Sequence, residues 1–221
     1  IQTVEDPVEY QLRGINQMQV HSQIDLTFAN ALRSILRQDP DIILIGEIRD
    51  TETARIAMRA SLTGHLVLST LHTNDSPSAF WRLRDIGIEP YLIAATIKLA
   101  LSQRLVRVLC PECKAATTLD EDLLRLLRPH EPAVDNWTFY ESVGCPKCNR
   151  RGYKGRTGIF EYLEVDDQVR QMIIGGAGEV ELRTGAQKLG MEPLLVNGLH
   201  KVERGETTVQ ELLGACPIGG Q

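Results

Sequence analysis

The sequence predicts an α/β protein, and three observations carry that prediction. Short apolar runs at residues 1–4, 42–45 and 66–71 alternate with segments of helical periodicity. Each run gives way to polar or charged residues, as strands do at the C-terminal edge of a sheet flanked by helices. The 221 residues are 43% hydrophobic and 24% charged, which supports a buried core and lies far from the composition of a disordered chain.

The elements follow in order. The first run is apolar from Ile1 onward, without an initiating Met or a leading cap, so the numbering is expected to begin inside a domain. Val4-Glu5-Asp6-Pro7-Val8-Glu9 takes that strand into carboxylates and a proline that ends regular pairing. Over residues 27–38, Phe28, Ala31, Leu32, Ile35 and Leu36 fall on one helical stripe, and Asp39-Pro40 stops the helix. The run at 42–45 then delivers Glu47 and Arg49 to its end. A helix over 51–62, apolar around most of its girth, stops at Gly64 and leads into the third strand. Helices are expected at 76–86 and 91–108, joined by Gly87-Ile88-Glu89-Pro90. The composition changes at Cys110, and the cysteine- and proline-rich stretch to Gly155 is expected to be a small metal-pinned subdomain. Beyond it come one strand-like run at 158–163 and short helical patterns separated by glycines. The expected divisions are therefore 1–107, 108–155 and a mostly helical 156–221.

A net charge of −5 without a dense basic block argues against nucleic acid as a partner, since phosphate binding needs several Lys and Arg on one face. No run reaches the roughly 18 to 20 apolar residues of a membrane span, and the start lacks a signal-peptide layout, so the chain reads as cytosolic.

Four of the five cysteines form two Cys-Pro-x-Cys pairs, Cys110 with Cys113 and Cys145 with Cys148, which together supply four thiolates for a tetrahedral zinc. The long insert between the pairs is no obstacle, because each doubling of a loop costs only about 0.6 kcal/mol of closure entropy. A redox pair is the competing reading, and the duplication favours metal. With all four positions filled by protein there is no open coordination site, so the expected role is structural. Cys216 stands apart and reads as a small apolar residue.

The second chemical signal is the apolar strand that ends in Gly46-Glu47-Ile48-Arg49-Asp50, where a carboxylate and an arginine reach the edge at which α/β sheets bind ligands. Taken alone, Glu47 reads more readily as a solvated strand end. The first strand repeats the pattern with Glu5, Asp6 and Glu9, so two adjacent strands are expected to converge acidic groups on one crevice. Thr63-Gly64-His65 and Ser69-Thr70-Leu71-His72-Thr73-Asn74 bracket the third strand with polar groups, and His72, Thr73 and Asn74 are placed to read the γ-phosphate or relay its loss. Either histidine by itself reads as a hydrogen-bonded structural residue.

Taken in order, Glu5-Asp6-Pro7-Val8-Glu9, Gly46-Glu47-Ile48-Arg49-Asp50 and Thr63-Gly64-His65 with His72-Thr73-Asn74 resemble the aspartate box, Walker B and histidine box of the secretion ATPase superfamily. The paired cysteines after Gln103-Arg104-Leu105-Val106-Arg107, and Gly155-Arg156-Thr157-Gly158-Ile159, resemble the type II secretion and type IV pilus assembly branches. The resemblance spans essentially the whole chain. It implies the back half of a RecA-like P-loop ATPase core working as a hexamer with ATP and Mg²⁺, held peripherally at a bacterial inner membrane by platform and linker proteins, and driving pseudopilin or pilin assembly. It places Glu5, Asp6 and Glu9 in the aspartate box, Glu47 as the main catalytic candidate with Gly46 replacing the usual aspartate, and His72 as the second histidine of its box. Arg33, Arg37 and Arg49, with His65 and Thr73, fall where the family contacts nucleotide or a neighbouring subunit; solvated helix-face charge is the plain alternative for Arg33 and Arg37. The paired cysteines set the chain apart from the retraction motors, and the stretches at Val165-Asp166-Asp167 and Met191-Glu192-Pro193-Leu194 look more like the secretion branch. One departure stands out: G-x-x-x-x-G-K-[ST], whose amides and Lys hold the phosphates, occurs nowhere in the 221 residues.

Overall fold

A computed structural model describes residues 1–218. These residues form two compact units, one from Ile1–Ala100 with Glu164–Ala186, the other from Leu101–Leu163 with the chain from Gln187 on.

The first unit is built on a parallel sheet. β1 (Gln2–Glu5) and β2 (Asn16–Gln19) are followed by α1 (Phe28–Ile35), β3 (Ile42–Ile45), α2 (Thr51–Leu62) and β4 (Leu66–Ser69), with strand order β2-β1-β3-β4. Both helices start on side-chain caps that satisfy otherwise unpaired amides: Thr27 accepts from the Asn30 N–H, and Asp50 from the Thr53 N–H at 2.8 Å. The α1 stripe is as expected, with Phe28, Ala31, Leu32 and Ile35 all buried. A short 3-10 turn over Leu36–Gln38 and a left-handed Asp39 end it. Together with Ala54, Ala57 and Met58 of α2, these side chains enclose Val4, Ile43 and Ile45, which have no exposed surface. Each fully buried Leu or Ile contributes about 1.5–3 kcal/mol.

The opposite sheet face is more open. Ile42 and Leu44 alternate with the buried Ile43 and Ile45 and are only partly covered, while Leu66 and Leu68 on the edge strand β4 are 54% and 48% exposed. Parallel strands are ordinarily apolar on both faces because both are covered, and this face has that composition.

Beyond β4 come α3 (Ser76–Asp85) and α4 (Pro90–Thr96), and then the largest departure from the sequence reading. The helix expected over 91–108 stops at Thr96, and the chain continues as an eleven-residue strand, β5 (Leu99–Leu109). Leu, Ala, Gln and Arg are helix formers, but the apolar pattern from Ala100 is a strand's: Ala100, Ser102 and Val106 are buried while Leu99, Leu101 and Leu105 face outward. Pairing with a later strand decides the matter over local propensity.

The second unit continues with β6 (Lys114–Thr117), α5 (Glu121–Leu127) and β7 (Phe139–Ser142), where β6 and β7 pair antiparallel. β8 (Tyr153–Glu164) contains the run expected at 158–163 and is the partner of β5. The chain returns to the first unit for α6 (Asp167–Ile174) and most of α7 (Glu179–Lys188), then closes the second with α8 (Leu194–Glu203) and α9 (Val209–Ala215). Val106, Ile159, Leu127, Phe139, Leu199 and Leu212 form the second unit's core. Gly198 allows close packing there, because a Cβ at that position would sit 2.1 Å from a Leu212 methyl and oblige that side chain to move.

Candidate functional site

The C-terminal edge of the first sheet gathers part of the predicted set. Glu47 lies two residues past the end of β3 and its side chain is only 12% exposed. Its Oε1 pairs with the Arg49 guanidinium, and its Oε2 lies 3.0 Å from Nε2 of His72, which is itself 85% exposed. The Arg49 hydrogen bond, followed by that of His72, outweighs burial and holds the carboxyl below the usual carboxylate range. Glu47 is therefore ionised at neutral pH. Gly46 is fixed by geometry: its N–H donates to the Val4 carbonyl at 2.7 Å, and a Cβ there would lie 3.3 Å from the β1 backbone. A side chain at 46 would need the β1 backbone to give by a few tenths of an ångström.

The loop after β4 is tied to the Glu47 loop by a residue to which the sequence reading gave no role. Thr70 Oγ1 donates to the Gly46 carbonyl at 2.6 Å, and the Thr70 carbonyl accepts the Ile48 N–H at 3.1 Å. Two short polar anchors thus set where His72 and Thr73 emerge.

The carboxylates of the first strand do not converge as expected. Asp6 lines a polar cavity of about 610 Å³ together with Arg49, Asp50, Glu52 and His21, and its charge adds to the field that keeps Arg49 protonated. Glu5 turns to the other side, where its Oε1 accepts from Thr3 and from Gln17 Nε2 at 3.1 Å. With Glu9 it borders a separate cavity of about 360 Å³ whose walls include Ile42, Leu44, Leu66 and Leu68. The separation follows from strand geometry, since Thr3 and Glu5 share a face by the period of two and Asp6 lies past the strand's end.

The remaining basic candidates are dispersed. Arg33 on α1 pairs with Glu52, which borders the Asp6 cavity, while Arg37 Nη2 donates to Ser34 Oγ at 3.2 Å. His65 precedes β4, at the opposite strand end from His72, and its Nδ1 lies 3.0 Å from the Ala60 carbonyl.

In the second unit the four paired cysteines come together. Cys110 follows β5, Cys113 precedes β6, Cys145 follows β7, and Cys148 ends a 3-10 turn before β8. All four sulfurs lie within 4.8 Å of one another, with closest separations of 3.8 and 3.9 Å. Four sulfurs each about 2.3 Å from a common centre at tetrahedral angles would be about 3.8 Å apart, so the set fits a tetrahedral metal. Backbone amides favour the thiolate form: Cys145 N–H and Gly152 N–H each donate to Cys148 Sγ at 3.2 Å, and they draw its pKa down to about 6 against burial. Gly144 and Gly152 make the second knuckle possible. Both have positive φ, and a Cβ would meet the Arg150 carbonyl at 2.6 Å or Ser142 at 2.5 Å. Cys216 is apart from this group, and burial raises its pKa.

The family model described as type II/IV secretion system protein matches residues 1–214. The chain belongs to that family. Among its curated relatives, the type IV pilus assembly ATPase PilB of Myxococcus xanthus is 52% identical over 96% of this chain and 38% of its own length. The type II secretion system ATPase E of Vibrio cholerae is 49% identical over 96% of this chain and 42% of its own. The chain thus spans about two fifths of these family members. Among solved structures, the pilus retraction motor PilT with bound ADP superposes with a TM-score of 0.70 at 26% identity, covering 99% of this chain and 53% of that one. Among the described residues no helix is long and apolar enough to cross a membrane.

Proposed function

We propose that this chain is the back half of a hexameric cytoplasmic ATPase that hydrolyses ATP with Mg²⁺ to drive pseudopilin assembly in type II secretion, working at the inner membrane through platform and linker proteins. The observation that carries the reading is the ionised Glu47 at the end of a parallel strand, paired with Arg49 and in contact with His72, with Asp6 on the neighbouring strand's end. Type IV pilus assembly is the second reading, supported by 52% identity to an ATPase of that name, the same identity as to a type II secretion system protein. The same chemistry serves both.

In this proposal Glu47 aligns and deprotonates the attacking water, while Arg49 keeps the carboxylate ionised and His72 orients it. Asp6 contributes negative charge to the polar cavity in which Mg²⁺ would be held, usually through water. The phosphate loop would be supplied by a part of the longer protein outside these 221 residues, since the chain spans 38% and 42% of two relatives' lengths. The cysteine cluster holds a structural Zn²⁺.

Two results are expected. The 221-residue chain alone should show no steady-state ATPase activity above a no-enzyme control, because its sequence holds no G-x-x-x-x-G-K-[ST] motif to bind the phosphates; measurable turnover by the purified chain would sink the proposal. In the longer enzyme, Arg49→Gln removes the largest influence depressing the Glu47 pKa. The acid limb of kcat/KM should then move to higher pH. With Arg49 present, Glu47 stays ionised until the pH falls through its lowered pKa, so an unmoved limb in the variant would disconnect Arg49 from the base.

A further inference from the structure

The loop that carries His72 is anchored at one end by Thr70, and its other end runs into Asp75, the cap of α3. Asp75 divides its carboxylate between two tasks. Oδ1 accepts the Ser78 N–H at 2.9 Å and the Ser78 hydroxyl, closing the first turn of α3, while Oδ2 receives Nη1 of Arg183 from α7. The second amino group of Arg183 bonds Glu179 Oε1 at 2.7 Å, and Ser78 Oγ lies 3.0 Å from the same oxygen. All four residues belong to the first unit, although Arg183 is more than a hundred positions from Asp75 in sequence.

The grouping is half-closed to solvent, with side-chain exposures of 25% for Arg183 and 14% for Asp75. Arg183 Nε is buried without a hydrogen-bond partner, so the guanidinium depends on its two carboxylates for compensation. A surface salt bridge would contribute little, but this one is a fork across two elements, and its removal leaves a sheltered carboxylate unpaired beside the loop.

We infer that Arg183 is a positioning residue for the nucleotide-hydrolysing site: by fixing Asp75 it sets the far end of the 70–75 loop and so the approach of His72 to Glu47. The inference rests on the ATPase reading above. It gives α7 a specific task, since a shift of this helix moves the His72 loop while leaving the Thr70 anchor in place.

The test uses the longer ATPase with its phosphate loop. Arg183→Gln should lower kcat about tenfold, as small misplacements of a reacting constellation do, with KM for ATP changed by less than about twofold. Arg183→Lys, which keeps one charged contact but not the fork, should recover part of the loss. In a His72→Ala background, Arg183→Gln should have no further effect on kcat, because the group it positions is gone. An equal loss with and without His72 would overturn the proposal and assign Arg183 to general stability. If His72→Ala alone leaves turnover unchanged, the site reading itself fails, a different result. Should Arg183→Gln not fold, Asp75→Asn reads the same contact from the other side, since its Oδ1 still caps α3; full activity in that variant would equally overturn it.

Discussion

Replacing Glu47 by Gln in the longer ATPase should lower kcat by about 10²–10⁴-fold, the range expected when a general base is lost, with ATP binding retained. Glutamine keeps the size of the side chain and an oxygen to receive Arg49, so the loop between β3 and α2 has no steric reason to move. What disappears is the negative charge that Arg49 and His72 face. Steady-state turnover measured beside equilibrium nucleotide binding separates the two effects. A zinc-stabilised docking module without catalysis, the reading from a different functional class, predicts no change in any nucleotide-dependent property. An unchanged kcat in Glu47→Gln would remove Glu47 from the chemistry, whereas no nucleotide turnover by the longer wild-type protein would favour that module.

The Glu47 arrangement was legible because strand and motif agree. An apolar run of four with turn residues behind it can hardly avoid placing the next carboxylate at a sheet edge, and the run at 42–45 became β3 with the predicted ends. The helix at 51–62 was equally readable, since Asp50 is a strong cap and Gly64 a strong stop. The acidic first strand was harder. Sequence shows Glu5, Asp6 and Glu9 within a few residues, but the side of the sheet each faces depends on where pairing stops, and that lies in the contact with β2. Asn16-Gln17-Met18-Gln19 has no apolar pattern at all, so β2 was invisible. As an edge strand it is recruited through its backbone and through Gln17, which reaches Glu5.

Other misses share a cause. β5 carries helix-forming residues, and its pairing with β8 is fixed by a partner more than forty residues away. The Arg183 to Asp75 contact has the same long-range origin. Asp75-Ser76-Pro77 was readable as a helix start, but nothing local says which cation completes the cap. The cysteines are the opposite case, because two knuckles of fixed spacing specify each other without any knowledge of the intervening elements. Their closeness in space follows from β6 and β7, which pair residues 114–117 with 139–142 and so bring the ends of both knuckles together.

That pairing predicts a large effect of metal loss. Cys148→Ser should abolish stoichiometric zinc in freshly reduced protein and lower the melting temperature of the second unit. Serine offers a shorter, harder donor at a corner where the sulfur accepts two backbone amides, so three thiolates remain for a metal that needs four. Structural zinc commonly binds with about 10–16 kcal/mol of apparent free energy near neutral pH, comparable to the whole stability of a domain. The effect should reach beyond the knuckles. Cys110 N–H is bonded to the Gly152 carbonyl and Leu109 N–H to the Glu206 carbonyl, so the first knuckle is continuous with β8 and with the turn before α9. Arg107 extends the same path into α9, its Nε and Nη2 both donating to Glu211 Oε2 and its backbone N–H to Oε1. Cys216→Ser, outside the cluster, should leave metal content unchanged. Full zinc occupancy in Cys148→Ser, or absence of metal from the reduced wild-type chain, would show that the sulfur cluster is not a metal centre, and the stability of the second unit would then have to come from its Val106, Ile159 and Leu199 core alone.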